Sequence, residues 1–171
     1  MKENFPLSLA NVLMSEGGFV DDPFDKGGAT NKGVTQAVYD DWRHGEGLPQ
    51  RSVKLINDYE VGAIYRGRYW AACRCDDLPG GVDYALFDFA VNSGVGRACR
   101  YLQRVASVTE DGKIGPATLA AVSSLNPKAV IDGLCDLRHD FLQKLPTFAR
   151  FGNGWSARVA DVDAKAKGMV A

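Results

Sequence analysis

The sequence predicts a mainly α-helical domain of the α+β class, with one small irregular lobe, a loop or β-ribbon, near residues 19–34. Two observations lead to this fold class. Apolar residues recur at helical spacing through most of the chain, in segments that begin at prolines or capping residues. Residues 19–33, in contrast, are rich in glycine, aspartate, asparagine and proline, which favour turns. With 171 residues, 46% of them hydrophobic, the chain can bury a core without disulfides or metals.

The first helix is expected to begin near Pro6, because proline suits a first helical position. Leu9 and Val12 then recur at helical spacing, and Gly17-Gly18 end the helix. These boundaries place Glu16 in the last helical turn.

Two capped helices are expected to follow the irregular lobe. Thr35 can cap the second helix, since a threonine oxygen can accept a bond from a free N–H of the first turn. Asn57, with Glu60 three residues later, forms a capping pattern for a third helix that runs through Tyr65 and Tyr69.

The remainder of the chain predicts five more helices. A strongly apolar segment is closed by Gly94, Pro116 opens a short helix, and Asn126-Pro127 start a long helix that Pro146 ends. The five expected ranges are 82–93, 96–108, 116–121, 127–145 and 152–167.

Charge and hydropathy exclude several classes of protein. The net charge is −1, and no run approaches the roughly 18 apolar residues of a membrane-spanning helix, so neither nucleic acid binding nor membrane insertion is expected. Polar residues interrupt the N-terminal segment and no small-residue cleavage site follows it, so no signal peptide is expected. We expect a monomer that is made and folded in the cytoplasm.

The cysteines do not predict a metal site. Cys73, Cys75, Cys99 and Cys135 lack zinc-binding spacing, and the two histidines do not complete a ligand set. Buried free thiols are the favoured interpretation, and a disulfide formed after export is the alternative. No metal and no cofactor are expected.

Residues 16–35 crowd four acidic residues around five glycines. A calcium loop counted from Asp21 would have proline in its third position and lysine in its sixth and twelfth, so it fails. A phosphate-binding loop fails as well, because Gly33 is followed by Val34. A pair of carboxyls for glycoside hydrolysis fits better. The negative end of the helix dipole favours a protonated Glu16, whereas Asp25 in a polar loop should stay ionised.

The same segment resembles the signature of glycoside hydrolase family 108, the N-acetylmuramidases of phages and prophages. The resemblance lies in Glu-Gly-Gly-Phe at 16–19 and Asp-Lys-Gly-Gly-Ala-Thr-Asn-Lys-Gly-Val-Thr at 25–35. Three further blocks agree in order, at 64–70, 86–94 and 111–118, so the resemblance spans nearly the whole chain.

This resemblance implies a lysozyme-like fold and cleavage of the bond between N-acetylmuramic acid and N-acetylglucosamine, with Glu16 as the catalytic acid. The spacing of Glu16, Asp25 and Thr30 also resembles the Glu–Asp–Thr arrangement of T4-type phage lysozymes, with one residue fewer before the threonine. Asp21 and Asp22 are alternatives to Asp25 as the second carboxylate.

Four residues are candidates for substrate binding. Asn31 lies in the signature, and Asn92 in the block at 86–94 that the family places near its cleft, although Asn92 can equally be a helix cap. Tyr69 and Trp70 can stack on sugar rings, but aromatic residues at helical spacing are more often core.

The resemblance also implies a division of the chain into two regions and a biological context. We expect a catalytic region, 1–95, and a helical peptidoglycan-binding-like region, 96–171, packed into the same body. Peptidoglycan glycan strands are the expected partner, and a phage or prophage endolysin released to the periplasm through a holin is the expected context. A lytic transglycosylase and a non-catalytic wall-binding or secretion-assisting protein are the alternative functions.

Overall fold

The structure, a computed structural model, describes residues 4–21 and 28–171 and is mainly helical, which confirms the predicted fold class. The described residues form eight α-helices and one two-stranded sheet. The helices are α1 (Phe5–Met14), α2 (Gln36–Gly45), α3 (Asp58–Tyr65), α4 (Val82–Ser93), α5 (Val95–Val105), α6 (Pro116–Ser123), α7 (Pro127–Gln143) and α8 (Phe148–Gly168). None of the helices in the described part of the chain is long and apolar enough to span a membrane.

The chain divides into two compact units. One unit is Leu9–Arg68, here called the lobe unit. The other, here called the helical unit, combines the described residues before Leu9 with Tyr69–Ala171.

The lobe unit contains the β-ribbon that the glycine-rich segment predicted. Strands β1 (Thr30–Asn31) and β2 (Val34–Thr35) pair antiparallel. An isolated bridge joins Val20 to Thr30, with both N–H···O distances at 2.8 Å. The two residues of the β1–β2 turn have φ values of 50° at Lys32 and 74° at Gly33, as in the type I′ turns that suit tight hairpins.

The predicted caps of the lobe unit are confirmed. The Thr35 side chain accepts a hydrogen bond from the N–H of Val38 at 3.3 Å and caps α2. At α3 the Asn57 side chain accepts from the N–H of Glu60, and the Glu60 carboxylate accepts from the N–H of Asn57, which completes a capping box.

Glu60 also anchors a buried ionic network inside the lobe unit. Its carboxylate accepts hydrogen bonds from the Tyr39 hydroxyl and from Arg43, both at 2.8 Å, and also pairs with Arg51. Burial raises the pKa of Glu60, but the Asn57 N–H, the Tyr39 hydroxyl and the two arginine charges lower it more, so the pKa lies below its ordinary value.

The helical unit is built around α4. Residues 82–90 of this helix are all buried, and α4 packs against α5, α7 and α8. Asp88, near the middle of α4, is paired with Arg138 of α7 at 2.7 Å and with Arg158 of α8 at 3.0 Å. Three helices are therefore tied together by one buried carboxylate.

Several helix boundaries differ from those predicted. Helices α5, α6 and α7 end at Val105, Ser123 and Gln143, where 108, 121 and 145 were expected, and three further differences concern α1, α3 and α8. The first helix ends at Met14, and i→i−3 hydrogen bonds from Ser15 and Glu16 tighten the chain there, so Glu16 lies just beyond the last turn instead of in it. The third helix ends at Tyr65 and continues as a π-helical segment, Arg66–Ala71. The last helix begins at Phe148, four residues earlier than Gly152, and Gly152 packs closely against the Phe148 ring one turn away.

The four cysteines are buried thiols that form no disulfide with one another, as predicted. The sulfur atoms of Cys73 and Cys99 lie 3.8 Å apart. Burial raises the pKa of the Cys135 thiol to about 12. This thiol is therefore protonated and unreactive at neutral pH.

Candidate active site

Glu16 lies in the lobe unit, directly after α1, with its side chain partly exposed. Its backbone N–H donates to the carbonyl of Leu13 at 3.2 Å, so the residue stays at the carbonyl end of the helix. Glu16 therefore stays beside the C-terminal end of α1, although it lies beyond the last helical turn.

The tip of the β1–β2 hairpin lies next to the Glu16 side chain. A Cβ atom built on Gly33 would lie 3.0 Å from Oε2 of Glu16 and 2.3 Å from the hydroxyl oxygen of Tyr65. The Tyr65 hydroxyl donates to the carbonyl of Lys32 at 3.0 Å. The hairpin turn, the Tyr65 hydroxyl and the Glu16 carboxyl therefore lie close together.

Thr30 and Asn31 lie on β1 in the same unit. The Thr30 hydroxyl makes a long hydrogen bond of 3.4 Å to the carbonyl of Gly28. The Asn31 side chain is 8% exposed and donates to the carbonyls of Val53 and Lys54 at 3.2 and 3.3 Å. Asn31 therefore fastens β1 to the turn at 53–55, a structural role beside the substrate-binding role predicted for it.

The candidate second carboxylates follow Val20, at the bridge to Thr30. Asp21 is exposed. Asp22 and Asp25 lie outside the described residues, so the proposed partnership of Asp25 with Glu16 stays a prediction.

The remaining predicted site residues lie in the helical unit. Trp70 is 0% exposed; its ring contacts Phe5 and Phe87, and its indole N–H donates to Asp76 at 2.8 Å. This placement favours the core interpretation of Trp70 over sugar binding. Tyr69 is partly exposed and Asn92 is exposed at the end of α4, so both side chains are accessible.

Sequence reasoning did not single out Gly33 or Tyr65 as site residues. Lys32-Gly33 forms a two-residue turn between strands β1 and β2. A glycine in such a turn is a hairpin signal in the sequence, and it could have drawn attention to Gly33. Tyr65 carries no comparable signal, because its contact with Lys32 is between residues far apart in the sequence.

The arrangement suits proton transfer. A carboxyl that lies just after a helix C-terminus, beside a hairpin turn and partly open to solvent, is placed where it can protonate the oxygen of a leaving group. Within residues 4–21 and 28–171, no three His, Cys, Asp or Glu side chains cluster so that they could hold a metal ion.

Comparisons with known proteins agree with the motifs and the fold. The model of the family described as "Glycosyl hydrolase 108" matches residues 9–94, and the model described as "Predicted Peptidoglycan domain" matches residues 97–160. A solved structure, SagA of Brucella abortus, is 43% identical, with 99% of this chain and 97% of that chain covered and a TM-score of 0.85. No curated protein matches the sequence. The predicted lysozyme-like, mainly α fold is confirmed.

Proposed function

The chain belongs to glycosyl hydrolase family 108, as its motifs predicted, and from that premise we propose that it is an N-acetylmuramidase with Glu16 as general acid. The two family models support a glycoside hydrolase that acts on peptidoglycan. The proposal adds the bond, between N-acetylmuramic acid and N-acetylglucosamine, and the residue that protonates it.

One observation carries this proposal: the Glu16 carboxyl is held against the hairpin tip at the end of α1. A Cβ on Gly33 would lie 3.0 Å from Glu16 Oε2, so the turn restricts this side chain. General acid catalysis depends on a donor that is already positioned at the bond to be cleaved, which this packing supports.

In the proposed mechanism Glu16 protonates the glycosidic oxygen as the bond breaks. An ionised Asp25, with Thr30, orients water on the opposite face of the sugar. The resemblance to T4-type lysozymes favours inversion at the anomeric carbon. Asp21 or Asp22 takes the place of Asp25 in the alternative assignment.

The reaction products separate the proposal from its alternatives. Mass spectrometry of digested peptidoglycan should detect fragments that end in reducing N-acetylmuramic acid. An anhydro-muramic end would indicate a lytic transglycosylase, which needs no water, and an uncut glycan would indicate a non-catalytic wall-binding protein. Either result would overturn the muramidase assignment.

The second carboxylate is tested by three matched variants, Asp25→Asn, Asp21→Asn and Asp22→Asn. We expect only Asp25→Asn to lose most of the activity. If Asp25→Asn kept full activity, the role would move to whichever of the other two variants is inactive.

We further propose that the enzyme is a monomeric phage or prophage endolysin that accumulates in the cytoplasm and reaches the wall through a holin. On this account, cells that express the chain alone stay intact and lyse when their inner membrane is permeabilised. Lysis without permeabilisation would contradict the holin-dependent route.

A further inference from the structure

We propose that a groove of the helical unit, at the C-terminal end of α4, binds an N-acetylated sugar that carries a carboxylate. The ligand class rests on the proposed function, because N-acetylmuramic acid carries both groups wherever no stem peptide is attached to its lactyl carboxyl, as in glycan strands stripped of their peptides and in the free sugar. The binding argument itself uses residues of the helical unit only.

The groove has the size of a site for a single sugar. Its volume is about 280 Å³, and it is bounded by the end of α4, the start of α5, α7 and α8. Small-molecule sites typically measure about 300–1,000 Å³, so this groove lies just below the usual range and suits one ring better than a long oligosaccharide. Its lining combines aromatic rings (Phe141, Trp155) with polar side chains (Asn92, Arg97).

Arg97 supplies a positioned positive charge. Its Nη1 donates to the carbonyl of Ser93 at 3.0 Å, and its guanidinium carbon lies 4.1 Å from the centre of the Phe141 ring. No carboxylate among the described residues pairs with it, so the remaining N–H groups can bind an external anion. A guanidinium fixed in this way binds a carboxylate through charge-assisted hydrogen bonds.

Trp155 and Asn92 supply the contacts that a sugar ring and its N-acetyl group need. The Trp155 ring is partly exposed and is tilted by 34° to the ring of Phe151, with the ring centres 5.8 Å apart, so the aromatic surface extends beyond the groove. The carbonyl oxygen of the Asn92 side chain accepts from the Ser93 hydroxyl at 3.0 Å. This bond leaves the amide NH₂ to donate to an acetyl oxygen.

Two larger grooves of the same unit are less suitable for an anionic sugar. The groove between α7 and α8, of about 550 Å³, is lined by four aspartates, which would repel a carboxylate: Asp132, Asp136, Asp140 and Asp163. The other groove lies beside the turn at 111–118. Its Gln103 side-chain NH₂ already donates to Asp111, the Lys113 carbonyl and Thr118, so this donor is not available to a sugar.

The test follows the indole N–H resonance of Trp155 during titration. The full chain carrying Glu16→Gln is titrated with N-acetylmuramic acid and, separately, with N-acetylglucosamine, which lacks the lactyl carboxylate. Trp155→Phe assigns the resonance, and Trp42 of the lobe unit is the internal control. Because Glu16→Gln removes the proposed acid, the binding result does not depend on hydrolysis.

We expect N-acetylmuramic acid to shift the Trp155 resonance and to bind about tenfold more tightly than N-acetylglucosamine, because one charge-assisted contact is added. Arg97→Gln should remove this preference, whereas Arg150→Gln, an exposed arginine outside the groove, should keep it. Thermal unfolding of each variant confirms that it is folded. An unchanged Trp155 resonance with both sugars, or equal affinity for the two, would overturn the proposal.

A chain that binds the acidic sugar at Trp155 but never cuts peptidoglycan would refute the proposed function and leave the groove supported. A chain that cuts peptidoglycan without any Trp155 response would do the reverse. The two proposals therefore fail separately.

Discussion

Gly33 is where the hairpin turn meets the candidate acid. Its φ of 74° lies in the left-handed region, which glycine adopts without the steric cost that a Cβ brings. The same missing Cβ leaves room for the Glu16 carboxyl and the Tyr65 hydroxyl. The turn therefore requires glycine twice, once for the backbone and once for the site.

Gly33→Ala should impair catalysis more than folding. The added methyl must displace the Glu16 carboxyl or the Tyr65 hydroxyl, and a misplaced acid should lower the rate by about 10–100-fold. The rate of release of soluble fragments from purified peptidoglycan measures the effect.

Gly47→Ala is the matched control, since Gly47 has a similar φ of 69° and no atom within 4 Å of the position of its Cβ. It should carry the same backbone cost without the steric clash, and it should keep its activity. If the two variants lost activity equally, backbone strain would explain the loss, and contact with Glu16 would not.

At the level of single residues, sequence patterns predicted the local setting of Glu16 better than they predicted aromatic contacts. Glu16 stands at a helix end and beside glycines, and these local features survive in the structure. Trp70 is ambiguous in sequence, because an aromatic residue at helical spacing packs in a core or faces a ligand. Its burial against Phe5 and Phe87 comes from distant segments that no local pattern reveals.

At the level of helices, the starts were more predictable than the ends. The caps at Thr35, Asn57 and Asn126 were predicted because each bond joins residues two or three positions apart. The end of α1, the π-helical segment after Tyr65 and the early start of α8 depend on packing, so the chain pattern alone did not give them.

The network around Glu60 should dominate the stability of the lobe unit. Glu60→Gln leaves Arg43 buried without its carboxylate partner, and breaking such a buried pair costs about 3–5 kcal/mol of unfolding free energy. Asp58→Asn is the control on the same helix as Glu60. It removes only an exposed ion pair with Lys32 of the hairpin turn, so it should change the unfolding free energy little. Chemical denaturation at neutral pH measures both.

Lowering the pH should reduce the difference in unfolding free energy between the wild type and Glu60→Gln. The pKa of Glu60 is lowered in the folded state, so its stabilising effect is complete above the unfolded pKa of about 4.3 and is lost as pH falls through the folded pKa. In chemical denaturation at a series of decreasing pH values, the curves of the two proteins should converge. A constant difference down to the lowest pH would contradict the assigned ionisation.

At the scale of the whole molecule, α4 joins the two regions that the sequence distinguished. Its buried face packs against α5, α7 and α8, and Asp88 is paired with Arg138 and Arg158. The compact units divide at Arg68, whereas the family models meet between 94 and 97. No local sequence feature marks the division at Arg68. The division depends on contacts between segments that are far apart in the sequence, such as those of α4 with α7 and α8.

A chain of residues 1–95 should therefore fail to fold by itself. It would expose the apolar residues of α4 and leave Asp88 without its two arginines. We expect no cooperative thermal transition and no lytic activity, whereas a chain that ends at Gly168, the last residue of α8, should keep both. A soluble, active 1–95 chain would show that the catalytic region is autonomous.

The central claim is that Glu16 is the general acid of a muramidase. The most direct measurement compares the initial rates at which wild type, Glu16→Gln and Glu46→Gln release reducing N-acetylmuramic acid ends from purified peptidoglycan. Glu46 is an exposed glutamate after α2 and serves as the matched control. We predict that Glu16→Gln lowers the rate by about 10²–10⁴-fold with an unchanged melting temperature, while Glu46→Gln keeps the wild-type rate. A folded Glu16→Gln variant with the wild-type rate would contradict the account.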